Sequence, residues 1–162
     1  MSADPSQNLY MPLTGLLEIA FEALLDEFRE DLDAAGYADI RPGHGCVFRF
    51  VRGDGMRLTE LAGLAGMTKQ SVGEVVDDLV DLGYVERVPD PADRRAKLIR
   101  LTGRGGEAQA VGFGLFAQVE RRWAERYGAA RITQLRETLE AIATAEAPEA
   151  VPELSRPALV TT

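Results

Sequence analysis

Apolar residues recur at helical spacing from residue 13 to 35, where Leu13, Leu16, Leu17, Ala20, Phe21, Leu24, Phe28 and Leu32 form one stripe among charged positions. The pattern predicts a long amphipathic helix stopped at Gly36. After Pro42 and Gly43 the run Cys46-Val47-Phe48-Arg49-Phe50-Val51 predicts a second, short helix closed by Gly53-Asp54-Gly55, although the same run also fits a strand. Thr59 is placed to N-cap a helix over residues 60–65, because its hydroxyl can accept an orphan amide and Glu60 suits the positive helix end. Gly66 ends that helix, and Thr68 caps the next one, which runs to about Leu82 on a buried face of Val72, Val75, Val76 and Leu79 before Gly83 breaks it. Two helices joined at Gly66-Met67 have helix-turn-helix spacing.

From Tyr84 the period changes to two. Val85 and Val88 precede a turn around residues 89–93, and Leu98-Ile99-Arg100-Leu101 returns, so a two-stranded hairpin follows the helix-turn-helix directly. That order predicts a winged helix. Two further amphipathic helices follow, over residues 105–127 and 131–145, separated by Gly128; residues 148–162 carry three prolines and no periodicity and are expected to form a flexible tail. The expected fold is mainly α, with a winged lobe (residues 41–104) and a helical lobe made by residues 1–40 and 105–147.

Charge sharpens this picture. The chain carries a net −8, yet residues 84–104 hold six cations (Arg87, Arg94, Arg95, Lys97, Arg100, Arg104) against three acids, while residues 1–40 hold nine acids and one base and account for the whole excess. A chain segregated this way can present a basic lobe to a duplex and keep its acidic lobe away. Its 46% hydrophobic and 27% charged residues are those of a soluble globular protein. No leader-like segment or bilayer-length apolar stretch is present in the sequence, so a cytoplasmic protein without a membrane partner is expected. A single cysteine and a single histidine leave no disulfide framework and no zinc-site spacing, and neither a metal nor a cofactor is expected. Nor is there an activated nucleophile or a phosphate-binding glycine loop, so an enzyme is not expected.

The candidate reading surface is the N-terminal half of the second motif helix. Gln70 offers the donor and acceptor that match an adenine edge, Lys69 suits a guanine or a phosphate, Thr68 and Ser71 can bond phosphate near the positive helix end, and Gly73 permits close approach. The plainer alternative is that Lys69 and Gln70 only solvate a surface helix. Asp77, Asp78 and Asp81 lie on the same helix and must point away from phosphates if it reads DNA. Arg94 and Lys97 in the hairpin suit phosphate contacts.

The stretches L-T-E-L-A-G-L-A-G-M-T-K-Q-S-V-G-E-V-V-D-D-L-V-D-L-G-Y-V-E-R and D-P-A-D-R-R-A-K-L-I-R-L-T-G-R-G resemble the MarR family of bacterial transcriptional regulators, with the matching core over about residues 58–106. The resemblance implies a homodimer whose first helix interlocks with the two C-terminal helices, two winged lobes on a pseudo-palindromic operator, and a repressor whose affinity falls on binding a small aromatic or amphipathic effector. It also implies that Asp93 orients Arg95, whose guanidinium enters the minor groove, a place suited to an always-charged and weakly hydrated group. Helices of about 23 residues are roughly 34 Å long, more than one small lobe covers. Leu16, Leu17, Phe116, Trp123, Leu135 and Leu139 are the candidate dimer residues, although Phe116, Trp123, Leu135 and Leu139 fit packing within one chain equally well. The family's ligand cleft makes Phe21, His44, Phe48 and Phe113 candidate lining residues; for His44 the alternative is a bond to the start of the second helix. Oxidant sensors of the family carry their cysteine in the first helix, whereas Cys46 sits in an apolar run that favours buried packing. The competing function is a winged helix used for protein contacts without specific DNA binding.

Overall fold

The computed structural model describes residues 11–146, so the tail expected over residues 148–162 lies outside the described residues. Ten elements follow one another: α1 (Leu13–Ala34), a 3-10 turn (Pro42–His44), α2 (Gly45–Phe50), β1 (Met56–Arg57), α3 (Leu58–Ala65), α4 (Lys69–Asp81), β2 (Val85–Pro89), β3 (Lys97–Leu101), α5 (Gly103–Tyr127) and α6 (Ala129–Glu146). The fold is a mainly α winged helix, with a helical lobe of α1, α5 and α6 beside it. The apolar run after Gly43 is helical, not extended.

The sheet has three strands in the order β1-β3-β2, all antiparallel. Its first strand is only two residues long and had no period of its own to announce it. That strand corrects the expected start of α3. The helix begins at Leu58 straight out of β1, with Arg57 at the cap position and no side-chain cap bond, so Thr59 lies inside the first turn and does not cap it. Thr68 does cap α4, its Oγ1 accepting the Ser71 amide at 3.1 Å. Gly66 leaves α3 with φ 62°, the left-handed conformation in which glycine costs least.

Thr102 caps α5 through the Gly105 amide and donates to the Gly83 carbonyl at 2.7 Å, so α5 starts two residues before its expected position. At Gly105 the first turn of α5 crosses the chain just ahead of β2 so closely that a Cβ there would sit 1.9 Å from the Tyr84 carbonyl oxygen. Only glycine fits. The winged core is built from Val47, Val51, Leu61, Val72, Val76, Leu79, Tyr84 and Ile99, all essentially without solvent exposure. Tyr37 and Ile40 also pack on it, so the chain joins the winged lobe before residue 41, the expected boundary.

In the helical lobe Phe28 of α1 stacks on Phe116 of α5, ring centroids 3.8 Å apart. Glu27 accepts from the Trp123 indole at 3.0 Å and pairs with Arg122 and Arg126, while Arg122 also reaches Asp31 at 2.7 Å. These donors, the indole first, hold the Glu27 carboxyl below its usual range against the opposing effect of burial. Helix α6 buries no residue completely, and Leu13, Leu16, Leu17, Ile19 and Phe21 of α1 are all exposed.

Candidate nucleic-acid interface

The wing owes its shape to a short ladder of turn bonds: Asp90 N–H to Ala96 O, Asp93 N–H to Asp90 O and Ala96 N–H to Asp93 O. Inside that turn Asp90 is 6% exposed; its side chain accepts the Ala92 amide at 2.8 Å and is gripped by Arg57 of β1 through Nε at 2.7 Å and Nη2 at 2.6 Å. The Ala92 amide first, then Arg57, hold the Asp90 carboxyl below its ordinary range. In the sequence Asp90 is one of three acids in the basic stretch, and Arg57 lies outside that stretch with no pattern to mark it. The signal available was an aspartate opening a Pro-rich turn, a residue type that bonds its own backbone two positions on.

Asp93 acts on the chain rather than on a guanidinium. Its Oδ1 accepts the main-chain amide of Arg95 at 3.0 Å, which fixes the turn and leaves the Arg95 side chain exposed at the tip. Of the six cations in this stretch, three are used by the fold. Arg87 pairs with Asp77, Arg100 makes a two-nitrogen contact with Glu86 opposite it in the sheet at 2.8 and 3.0 Å, and Arg104 binds Asp39 at 2.9 Å. Arg94, Arg95 and Lys97 have no carboxylate partner among the described residues, and the same holds for Lys69 of α4. These four exposed side chains are therefore available to an external anion.

The acids of α4 are occupied in a complementary way. Asp77 is neutralised by Arg87, and Asp78 turns back to His44 and Arg41 at 2.8 and 3.3 Å. Two of the three carboxylates that threatened phosphate binding are thus paired with side chains of the winged lobe, Asp77 at its surface and Asp78 half-buried. Thr68, Lys69, Gln70 and Ser71 share the N-terminal turn; Gln70 is exposed, and its Nε2 donates to Glu74 at 3.3 Å. Gly73 is half-buried, and a Cβ built there meets Leu58 of α3 in ordinary contact at 3.9 Å. Close packing within this chain does not require a glycine there.

The candidate effector residues are not brought together. Phe21 is exposed on α1, His44 is buried with both ring nitrogens engaged, and Phe48 packs edge-on against Tyr84 beside the core. Phe113 alone lines a cavity of about 440 Å³ between α1, α2, α5 and α6, whose walls include Leu24, Arg49, Arg52, Trp123, Ile132, Leu135 and Leu139. No local pattern announces this set, because it draws on elements far apart in the chain. Arg52 lies over the Phe113 ring at 5.1 Å and donates to the Phe48 and Val51 carbonyls, closing the end of α2; burial lowers its pKa. Among the candidate dimer residues, Phe116 and Trp123 are engaged within the chain, whereas Leu16, Leu17, Leu135 and Leu139 are exposed on the helical lobe.

Cys46 is half-buried, with its thiol 3.5 Å from the Gly43 carbonyl, and burial pushes its pKa up. Among the described residues no group of His, Cys, Asp and Glu is placed to hold a metal ion, and no helix is long and apolar enough to cross a membrane.

Comparison with known proteins agrees with this geometry. The sequence model of the MarR family matches residues 38–96. The transcriptional repressor CouR, solved on a 23-mer DNA duplex, is 25% identical, with a TM-score of 0.70 over 88% of this chain and 99% of that one. CouR from Rhodococcus jostii RHA1, solved with p-coumaroyl-CoA, is 26% identical with a TM-score of 0.67 over 85% of this chain and 96% of that one. The reduced form of MarR from E. coli shares the fold at 23% identity, with a TM-score of 0.71 over 83% and 98% of the two chains. No curated protein matches the chain.

Proposed function

We propose that this chain, which belongs to the MarR family, is a sequence-specific DNA-binding transcriptional regulator: a homodimeric repressor, cytoplasmic and without a catalytic step, released by a small-molecule effector. The observation that carries the reading is the division of its wing cations. Arg87, Arg100 and Arg104 are consumed by the fold, while Arg94, Arg95 and Lys97 at the tip are held out on a turn that Asp90 and Asp93 rigidify. Ordering these side chains' backbone in advance lowers the entropy lost when they meet phosphate or a minor groove.

On the reading helix, Lys69, Gln70 and Ser71 supply the base-edge and phosphate donors, and Thr68 fixes the first turn by capping the Ser71 amide. CouR has been solved both on DNA and with an acyl-CoA thioester, which favours the same two partners here. The exposed apolar side chains Leu16, Leu17, Leu135 and Leu139 supply the surface for a second copy. The effector is a small aromatic or amphipathic molecule, placed in the cavity that Phe113 and Trp123 line. Trp123 is the chain's one tryptophan, so its fluorescence reports on that cavity directly.

One feature favours the protein-contact alternative: Glu74 sits exposed one turn into the reading helix and holds Gln70. Selection from a random duplex library separates the two. A regulator enriches a motif of two dyad-related half-sites, whereas a protein-contact module enriches none.

A further inference from the structure

Helix α4 is seated on the winged core by Val72, Val76 and Leu79, all fully buried. Besides the surface pairs Asp77–Arg87 and Asp78–Arg41, one contact joins α4 to a buried side chain. His44 is 3% exposed; its Nδ1 accepts the Arg41 amide at 3.1 Å and its Nε2 lies 2.8 Å from Asp78 Oδ2. A main-chain amide can only donate, so Nδ1 carries no proton, the proton is on Nε2, and Nε2 donates to Asp78. Both ends of the ring are therefore committed and directional.

The segment holding His44 has other anchors. Tyr37 N–H bonds the Leu32 carbonyl at the end of α1, and Asp39 accepts from the Tyr84 hydroxyl at 2.6 Å and from Arg104 of α5 at 2.9 Å. Residues 37–44 thus touch α1, α5 and, through His44, α4. Asp78 lies eight residues beyond Gln70, about 12 Å along the helix, so a small rotation at Asp78 turns the reading end with it.

We infer that the His44–Asp78 hydrogen bond is a positioning link that sets the rotation of α4 and carries displacements of the helical lobe to the reading surface. It acts through α4 and touches no DNA, and its consequence for operator choice rests on the DNA-binding reading above. A hydrogen bond to a charged group is worth about tenfold in an equilibrium at the low end of its range, which suits this part-buried contact.

The side-chain amides separate the two halves of the contact. In His44→Asn the carboxamide oxygen overlays Nδ1 and keeps the Arg41 bond but cannot reach Asp78; in His44→Gln the nitrogen overlays Nε2 and keeps the bond to Asp78. Asp78→Ala removes the link from its more exposed side, about a third exposed, and leaves the histidine in place, so it decides the matter if His44→Asn does not fold. Arg41→Ala controls for the weaker ion pair to the same carboxylate.

Two readouts are taken: amide hydrogen exchange along α4 in the free protein, and the ratio of affinities for the selected operator and a scrambled duplex. His44→Asn and Asp78→Ala should speed exchange at the N-terminal half of α4 and cut the affinity ratio by about tenfold each, with His44→Gln and Arg41→Ala close to the parent on both. Unchanged exchange in His44→Asn and Asp78→Ala, or an equal loss in His44→Gln, would overturn the link. If the parent shows no operator preference, the functional reading fails separately, and the exchange pattern still decides whether the link exists.

Discussion

Arg95→Ala should cripple operator binding while leaving the fold alone, and Arg100→Ala should leave both nearly unchanged. Asp93 holds the main-chain amide of Arg95, so the wing turn survives loss of the side chain, and an exposed side chain with no carboxylate partner among the described residues contributes within about 0.5 kcal/mol to stability. Against DNA the same side chain is a free cation. Losing it should cost at least about tenfold in affinity, or ~1.4 kcal/mol. In counterion-release terms each lost contact removes about 0.9 from the slope of log affinity against log salt, roughly 1.8 for the two wings of a dimer. The Arg95→Ala defect should therefore shrink by about tenfold between about 50 and 200 mM salt. Arg100 is already neutralised by Glu86, so its removal should leave the slope almost unchanged and cost only the small stability of an exposed pair. Fluorescence anisotropy titrations at several salt concentrations, with thermal melts alongside, read both quantities. Equal slopes for Arg95→Ala and Arg100→Ala would refute the division of the wing cations into used and available.

Other consequences follow from packing and ionisation. Gly105→Ala must push α5 off β2, because its Cβ would lie 1.9 Å from the Tyr84 carbonyl oxygen; a loss of about 3 kcal/mol or more is expected, seen as a Tm roughly 6–12 °C lower. Gly73→Ala has room and should raise helix stability by about 0.5–1 kcal/mol, so a clear fall in its Tm would mean that the contact with Leu58 is misjudged. Glu27 has a folded pKa below its ordinary 4.5, so its network contributes fully above that pH and is lost as pH falls through the lowered value. Glu27→Gln should accordingly lower Tm at neutral pH and flatten the acid limb of Tm against pH; a parallel downward shift at every pH would contradict this. Cys46, whose pKa burial raises, should react with iodoacetamide at pH 7.5 far more slowly than a free thiol, and labelling as fast as a small-molecule thiol would reopen oxidant sensing.

Long periodic segments were legible in the sequence and short or non-local features were not. The stripes of α1, α4 and α5 and the Thr68 cap announce themselves because helix period and capping are local properties. Strand β1 has two residues, too few to alternate, and missing it moved the expected cap of α3 to Thr59. The basic character of the wing was plain, but not which cations the fold consumes. Arg57 and Asp90 are 33 residues apart, Arg104 and Asp39 are 65 apart, and such pairs exist only once the sheet and the lobe junction form. Of the four positions offered for an effector, Phe113 lines the cavity and Phe21, His44 and Phe48 do not, because its walls come from elements far apart in the chain. His44 does not bond the start of the second helix, which has no side-chain cap; its ring takes the Arg41 amide ahead of the 3-10 turn and links to Asp78, a contact that no local pattern foretells.

The central claim is sequence-specific, charge-driven DNA binding by a dimer. Anisotropy of the purified protein on the duplex upstream of its own gene, against a scrambled duplex and at two salt concentrations, tests it most directly. The account predicts much tighter binding to the upstream duplex, a steep loss with salt, and a stoichiometry of two chains per site. Equal, weak binding to both duplexes, persisting when the duplex is replaced by the best sequence from a random library, would contradict it.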